Sequence, residues 1–185
     1  MPRSIINNGE HKMDKAIEAL EKEFALIRTG RANPTVLNGV LVPYYGAPTP
    51  LNQISQISVP EAQILMIKPF DKSILKEIEK AIQLADLNLV PQNDGAVIRI
   101  VFPALTEAKR KDLVKEVKAK TEHGKIAIRN VRREVMDQLK KLEKDSVISE
   151  DELKRHNDEV QKITDKYTDK MDALAKDKEK AIMEI

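Results

Sequence analysis

The segment 125-KIAIRNVRREVMDQLKKL-142 combines a helical seam of apolar residues with an excess of positive charge. The apolar residues recur every three or four positions, at Ile128, Val131, Val135, Leu139 and Leu142. That spacing places them on one side of a helix, which predicts packing against other helices. The fold therefore has to supply at least one partner for this helix.

Positive charge is concentrated in this part of the chain. The whole chain has a formal net charge of +2, whereas residues 109–141 contain twelve basic and five acidic residues. Arg132 falls at the border of the apolar arc, so its stem can lie on neighbouring helices while its guanidinium reaches solvent. Glu116 and Glu134 fall almost opposite the basic arc and are poorly placed to neutralise it. The basic arc comprises Lys118, Lys125, Arg129, Arg133 and Lys140.

A one-sided basic stripe favours a polyanion-binding surface over a merely solvated helix face. The arginine guanidinium binds phosphate through two parallel hydrogen bonds and is only weakly hydrated. Single-stranded nucleic acid is usually bound by stacking on aromatic side chains, and aromatics make up only 3% of this chain. The pattern therefore predicts phosphate contacts with double-stranded or otherwise ordered RNA.

Two other segments have helical periodicity. Residues 10–28 have their own seam, with Asn8 as the expected N-cap and Gly30 as the expected left-handed stop. Thr106 is the expected N-cap of the basic helix, which should run to about residue 144. Ser149 and Glu152 form a capping box for a third helix that reaches the C-terminus. Three amphipathic helices should form a bundle, because none can bury its seam alone.

The middle of the chain differs from both ends in its residue composition and hydrophobic pattern. Eight of the nine prolines lie between residues 32 and 103, among short β-rich runs at 40–42, 54–59, 63–68 and 97–102. One amphipathic helix is predicted over residues 73–85. We therefore predict an α+β protein, in which residues 1–30 and 105–185 form the bundle and residues 31–104 form an inserted small α/β domain. Gly30, Pro34 and Pro103 are the expected hinge residues at the two crossings.

Catalytic and metal-binding motifs are missing from the sequence. There is no Cys, and the three His residues have no metal-ligand spacing, so we predict no metal site and no cofactor. Nucleotide-binding glycine motifs and a nucleophile elbow are absent too, which argues against an enzyme. No signal peptide or membrane span is evident, and a soluble cytoplasmic protein is expected.

Three short stretches allow two interpretations each. The run 28-RTGRANP-34 is either a basic elbow that binds phosphate or a simple helix stop. The run 43-PYYGAPTPL-51 could meet a protein partner, but a rigid turn that closes the sheet is the favoured interpretation. Within the basic helix, 123-HG-124 is interpreted as a tolerated, exposed glycine rather than a kink.

Several segments, in order along the whole chain, resemble the bacterial ribosome recycling factors. The segments that carry the resemblance are 28-RTGRANP-34, 44-YYGAPTPL-51, 78-IEKAI-82, 91-PQNDGAVIRI-100, 104-ALTEAKRKDL-113, 129-RNVRRE-134 and 149-SEDEL-153. The resemblance implies a three-helix bundle and a small inserted domain, joined at a flexible elbow in an L-shaped outline like that of transfer RNA. It also implies that the chain hydrolyses no GTP itself.

The resemblance further implies a function in translation. Family members bind post-termination ribosomes and, with elongation factor G and the GTP that it hydrolyses, split them into subunits and release mRNA and tRNA. The bundle lies on large-subunit ribosomal RNA, and the small domain is where the elongation factor pushes. A monomer that contacts no membrane is expected.

The family's RNA-contacting arginines correspond to Arg129, Arg132 and Arg133, with Arg132 expected to contribute most. Weaker expected RNA contacts are Arg28, Arg31, Arg110 and Lys125. Without the resemblance, the alternative is a non-enzymatic helical adaptor or chaperone that binds proteins through the bundle grooves. The salt dependence of binding distinguishes RNA binding from protein binding, because phosphate-driven binding weakens steeply with ionic strength and apolar groove binding does not.

Overall fold

The computed structural model describes residues 2–184 and confirms a mixed fold of long helices and a small sheet region. Two compact units are present: one combines the N-terminal segment to Ala25 with Asp112–Lys180, and the other combines Leu26–Lys111 with the chain end from Ala181. The helices are α1 (Pro2–Leu26), α2 (Leu51–Ile54), α3 (Leu75–Leu84), α4 (Glu107–Lys144) and α5 (Glu150–Met183). The strands are β1 (Leu41–Tyr44), β2 (Ala47–Pro50), β3 (Ser55–Glu61), β4 (Ile64–Pro69), β5 (Pro91–Asn93) and β6 (Ile98–Val101).

The helical unit is a bundle of α1, α4 and α5, as the three apolar seams predicted. One of its hydrophobic clusters joins Ile6 of α1, Val135 and Leu139 of α4, and Val160 of α5. Tyr167 of α5 is 2% exposed, and its hydroxyl donates to Asp14 of α1 at 2.5 Å. Burial, and secondarily the bond to Asp14, raise the pKa of this phenol. The phenol therefore stays protonated and ties α5 to α1.

Helix α1 differs from its predicted bounds at both ends. It begins at Pro2, so Asn8 lies inside the helix and is not its N-cap. The early start has a tertiary cause, because Ile6 is buried in the cluster with α4 and α5. The helix ends at Leu26, and Gly30 does not adopt the expected left-handed conformation.

The caps of α4 and α5 agree with prediction. The Thr106 hydroxyl accepts the Lys109 amide N–H at 3.1 Å. At the start of α5, the Glu152 N–H donates to the Ser149 hydroxyl at 3.2 Å, and the Ser149 N–H donates to the Glu152 carboxylate at 2.8 Å. Each cap satisfies backbone donors that the first helical turn leaves without intrahelical partners.

The second unit contains two antiparallel sheets. β1 and β2 form a two-stranded ribbon, and the larger sheet has the order β3-β4-β6-β5. The four predicted apolar runs correspond to β1, β3, β4 and β6, whereas β2 and β5 were not predicted. Both missed strands contain proline and have little apolar alternation. Helix α3 is preceded by a 3₁₀ turn at Lys72–Ile74, so the predicted helix over residues 73–85 is nearly correct.

The sheet and α3 enclose the core of this unit. Ile78 and Ile82 of α3 belong to the same cluster as the inward side chains of the larger sheet. The sheet residues of the cluster alternate with exposed ones, as a half-buried antiparallel sheet requires. They are Leu65 and Ile67 on β4 and Ile98 and Ile100 on β6, each at 0% exposure.

Two glycines allow close helix packing in the bundle. A Cβ on Gly9 would lie 2.4 Å from Val135 Cγ2, and a Cβ on Gly124 would lie 3.0 Å from Met171 Cε. Gly124 therefore faces α5 at close range, and its interpretation as an exposed, tolerated glycine was wrong. The local sequence holds no signal for this contact, because Met171 is on another helix.

The Gly9→Ala substitution is expected to lower the free energy of unfolding by about 1–2 kcal/mol, although Ala favours helix more than Gly does. Val135 is β-branched and has one preferred rotamer in a helix, so it cannot easily move aside. Chemical denaturation measures the change. Gly39→Ala is the control, because nothing lies within 4 Å of the added methyl group there. Equal stability of the two variants would contradict the packing argument.

Candidate nucleic-acid interface

Helix α4 presents its apolar and basic residues on different sides. Ile128, Val135 and Leu139 are buried, whereas Arg129 and Arg133 are exposed. The helical periodicity that buries the seam also leaves the basic residues at the surface. The basic residues defined from the sequence thus lie along one side of α4, which we call the basic face: Lys118, Lys125, Arg129, Arg132, Arg133 and Lys140.

Arg132 is held in place by α5. Its Nη1 donates to Gln161 Oε1 at 2.9 Å, and Gln161 Nε2 donates to Asp165 Oδ1 at 2.9 Å. The side chain is half-buried, and its Nε lies buried without a hydrogen-bond partner. No carboxylate forms an ion pair with this guanidinium within residues 2–184. The geometry fixes the direction of the guanidinium while leaving its charge available.

The neighbouring arginines are held less firmly. Arg129 Nη1 lies 3.0 Å from Glu122 Oε1, an exposed ion pair along α4 itself. Exposed pairs of this kind contribute about 0–1 kcal/mol and are readily exchanged for a stronger anion. Arg133 is exposed and has no hydrogen bond or ion pair to the described part of the chain. Both side chains can therefore turn toward a phosphate.

Lys125 is a poorer phosphate ligand than its sequence position indicates. Its Nζ lies 2.5 Å from Asp172 Oδ1 on α5, and its side chain is 19% exposed. An ion pair between two helices holds this lysine within the bundle. A phosphate would have to displace the Asp172 carboxylate before it could bind here.

The three arginines predicted as weaker RNA contacts lie against the protein's own backbone and chain end. Arg28 Nη2 donates to the carbonyl oxygen of Pro103, and Arg110 Nη1 donates to the carbonyl oxygen of Met183 at 3.4 Å. Arg31 Nη2 lies 3.9 Å from Glu184 Oε2. The Nε atoms of Arg28 and Arg110 are buried without partners. Arg28 and Arg110 thus connect segments of the second unit.

The two acidic residues of α4 that the sequence places opposite the basic arc pair with other cations. Glu134 accepts from Lys12 of α1 at 2.6 Å, and Glu116 pairs with Lys120 at 3.8 Å. These contacts lie away from the basic arc, as the sequence predicted. Two carboxylates do pair with the basic face: Glu122 with Arg129, and Asp172 of α5 with Lys125.

Gln161 is the residue of this surface that the sequence analysis missed. It lies on α5, 29 positions from the arginine that it holds. A glutamine in a charged amphipathic helix has no distinguishing local pattern, so only the packing of α5 beside α4 identifies it.

Neither a metal-binding cluster nor a membrane-spanning helix is present within residues 2–184. Within that range, no three His, Cys, Asp or Glu side chains are arranged to hold a metal ion. No helix in the same range is both long and apolar enough to cross a bilayer.

Comparison with known proteins identifies close relatives. A family model described as ribosome recycling factor matches residues 20–183. The ribosome-recycling factors of Geobacillus sp. strain WCH70 and of Bacillus subtilis strain 168 are each 55% identical to the chain over 185 residues, with all of both chains covered.

Two solved structures have the same architecture. A solution structure of a ribosome recycling factor superposes with a TM-score of 0.82 at 40% identity, covering all of this chain and 98% of the other. The second structure contains the T. thermophilus ribosome recycling factor and E. coli elongation factor G bound to the E. coli post-termination complex. It matches with a TM-score of 0.68 at 46% identity, and both chains are fully covered.

Proposed function

Because the chain belongs to the ribosome recycling factor family, we propose that it binds ribosomes after termination and splits them together with elongation factor G. The family does not itself catalyse a reaction. The energy comes from GTP that the elongation factor hydrolyses, and the products are free subunits, mRNA and tRNA. The protein acts as a monomer in the cytoplasm, where bacterial ribosomes work.

The observation that carries the RNA-binding part of this proposal is the exposed basic face of α4. Arg129, Arg132 and Arg133 supply guanidinium groups within two turns of one helix, and Arg132 is oriented by Gln161. Regularly spaced cations on a rigid helix fit a phosphate backbone, and such contacts position a protein without reading bases. We propose large-subunit ribosomal RNA as the ligand of this face.

The elbow between the two proposed domains is the basis for the proposed domain movement. We propose that residues 1–30 and 105–185 act as the RNA-bound bundle domain, and that residues 31–104 act as the moving domain. Gly30, Pro34 and Pro103 are the proposed hinge. The bond from Arg28 to the Pro103 carbonyl connects the two chain crossings, so both crossings can bend together. Lys125, Arg28, Arg31 and Arg110 are assigned secondary RNA contacts at most, because each already has an internal partner.

A splitting assay tests the function directly. Purified protein is expected to convert post-termination ribosomes into subunits only when elongation factor G and GTP are both present. Light scattering follows the reaction, and sucrose gradients identify the products. A preparation that lacks GTP is the control, because the protein supplies no hydrolysis of its own. Ribosomes that stay intact with all components present would refute the proposal.

A further inference from the structure

Three dipeptides of this chain have the sequence that favours spontaneous rearrangement of the backbone: Asn8-Gly9, Asn38-Gly39 and Asp94-Gly95. In each, the glycine nitrogen can attack the side-chain carbonyl carbon of the preceding residue, because glycine has no Cβ to obstruct the approach. Attack on asparagine closes a five-membered succinimide and releases ammonia. Water then opens the ring to aspartate or to isoaspartate, in which the main chain runs through the side-chain carbon. The fold determines which of the three sites can react.

The Asn8-Gly9 site is protected by helix α1. Both residues lie inside the helix, and Gly9 is buried. The Gly9 N–H is therefore used in the helical hydrogen-bond ladder. A Cβ on Gly9 would lie 2.4 Å from Val135 Cγ2, so the backbone has no space to rotate here. Ring closure would require α1 to open and leave the bundle, which costs far more than the opening of a surface turn.

The Asp94-Gly95 site is protected by hydrogen bonds within its loop. The Gly95 N–H donates to Asn93 Oδ1 at 2.8 Å, so the attacking nitrogen is already engaged. Asp94 Oδ1 accepts the N–H groups of Val97 and Ala96, each at 2.9 Å. These bonds lower the pKa of Asp94 and keep its carboxyl group ionised. A carboxylate is a poor electrophile, so this site is unreactive as well.

The Asn38-Gly39 site has neither form of protection. The two residues are the centre of a β-turn in which the Val40 N–H donates to the Leu37 carbonyl at 3.0 Å. Both are exposed, and nothing lies within 4 Å of a Cβ placed on Gly39. Within residues 2–184, neither the Asn38 side-chain amide nor the Gly39 N–H takes part in a hydrogen bond. Rotation of the turn toward ring closure therefore breaks only the bond between Val40 and Leu37.

We propose that Asn38 is a site of spontaneous deamidation in the folded protein. The Gly39 nitrogen bonds to Asn38 Cγ, the bond from Cγ to Nδ2 breaks, and the displaced amide nitrogen leaves as ammonia with the proton of the Gly39 N–H. Solvent water, the one co-reactant, then adds to a succinimide carbonyl and opens the ring. No enzyme or cofactor is needed for either step.

The modification changes both the charge and the backbone of the second unit. Residues 32–60 contain no Asp, Glu, Lys, Arg or His, so the new carboxylate is the first charge in that segment. The isoaspartyl product also adds one main-chain atom to the turn between Leu37 and Val40. These two residues are 2% and 3% exposed and belong to the core of the unit. The lengthened turn thus connects two residues whose positions are fixed by packing.

Peptide mapping of aged protein tests the proposal. The whole chain is incubated in mildly alkaline buffer, and mass spectrometry follows deamidation at Asn38 and Asn8 in the same sample. We expect Asn38 to react at least about tenfold faster than Asn8 in the folded protein, because α1 opens far less often than a surface turn. In concentrated urea the two sites should react at similar rates, since both then lie in unfolded chain. Isoaspartyl carboxyl methyltransferase with labelled methyl donor identifies the isoaspartyl product.

Gly39→Ala is the matched variant. Gly39 does not have a positive φ, so alanine fits the turn and the melting temperature should not change. Its methyl group obstructs the attacking nitrogen, and deamidation at Asn38 should slow by about fivefold or more. Equal rates at Asn38 and Asn8 in the folded protein would overturn the proposal. So would a rate at Asn38 that Gly39→Ala leaves unchanged, or a deamidated Asn38 peptide without the isoaspartyl label, because direct hydrolysis yields aspartate alone.

Discussion

Replacing Arg132 by alanine is expected to weaken binding to the large ribosomal subunit by about ten- to a hundredfold, the loss typical of one charge-assisted hydrogen-bonded contact. The guanidinium is held by Gln161 at 2.9 Å and has no ion pair to a carboxylate within residues 2–184. Its charge is therefore available to a phosphate, and its direction is set before binding. Pre-orientation of this kind reduces the entropy lost on binding.

Salt dependence distinguishes a phosphate contact from a structural role. Removing one phosphate contact should make the plot of log affinity against log salt shallower by about one unit. Helix content and melting temperature should barely change, because the loss within the protein is one partly exposed hydrogen bond to Gln161. Arg155→Ala is the control, since Arg155 is an exposed arginine on α5 whose Nε donates to the Asp151 carbonyl oxygen at 3.4 Å. Loss of folding in Arg132→Ala would show that this arginine is structural.

Gln161→Ala tests whether the orientation matters. Arg132 keeps its charge in this variant but loses the acceptor that fixes its direction. We expect an affinity loss smaller than that of Arg132→Ala and an unchanged salt slope, because the number of phosphate contacts is the same. An affinity equal to that of the unsubstituted protein would show that Gln161 does not position the arginine.

The second large effect is expected in the bundle core. Ile128 has 0% exposure, whereas Ile126, two residues earlier on the same helix, is 46% exposed. Ile128→Ala should lower the free energy of unfolding by about 3–4 kcal/mol, because it leaves a cavity in a packed interface. Ile126→Ala removes the same atoms from a half-solvated site and should cost less than about 1 kcal/mol. Urea denaturation of both variants gives the comparison.

This pair of variants also tests the orientation of the basic face. Arg129 lies next to Ile128 in sequence but on the exposed side of α4. If Ile126→Ala proved the more damaging change, α4 would be rotated from its place in the structure. The proposed RNA-contacting arginines would then be turned toward the bundle, and the RNA-binding proposal would fail with them.

Local signals account for the features that were predicted correctly. The capping residues Thr106 and Ser149 determine where α4 and α5 begin, because their hydroxyls satisfy amides within three residues along the chain. The seam of α4 predicted which residues are buried, since helical periodicity alone separates Ile128 from Arg129. The family resemblance, later confirmed over the full length of the relatives, rests on short segments read directly from the sequence.

Errors arose where a distant residue determines the local structure. Helix α1 extends past Asn8 because Ile6 and Gly9 pack against α4, more than a hundred positions away. Strand β2 escaped prediction because Pro48 and Pro50 disfavour a central strand, yet the ribbon places them where no N–H is needed. In both cases a tertiary contact overrides the local preference.

The amino-acid sequence was sufficient to predict the three amphipathic helices, the inserted sheet region and the helix that carries the excess charge. Each of these depends on the periodicity or composition of contiguous residues. The cations that remain available to a ligand could be identified only in the folded protein. Lys125 is paired with Asp172, and Arg110 with the Met183 carbonyl oxygen, whereas Arg132 is merely oriented by Gln161. Charge is a property of the residue, but its availability depends on partners that folding brings from far along the chain.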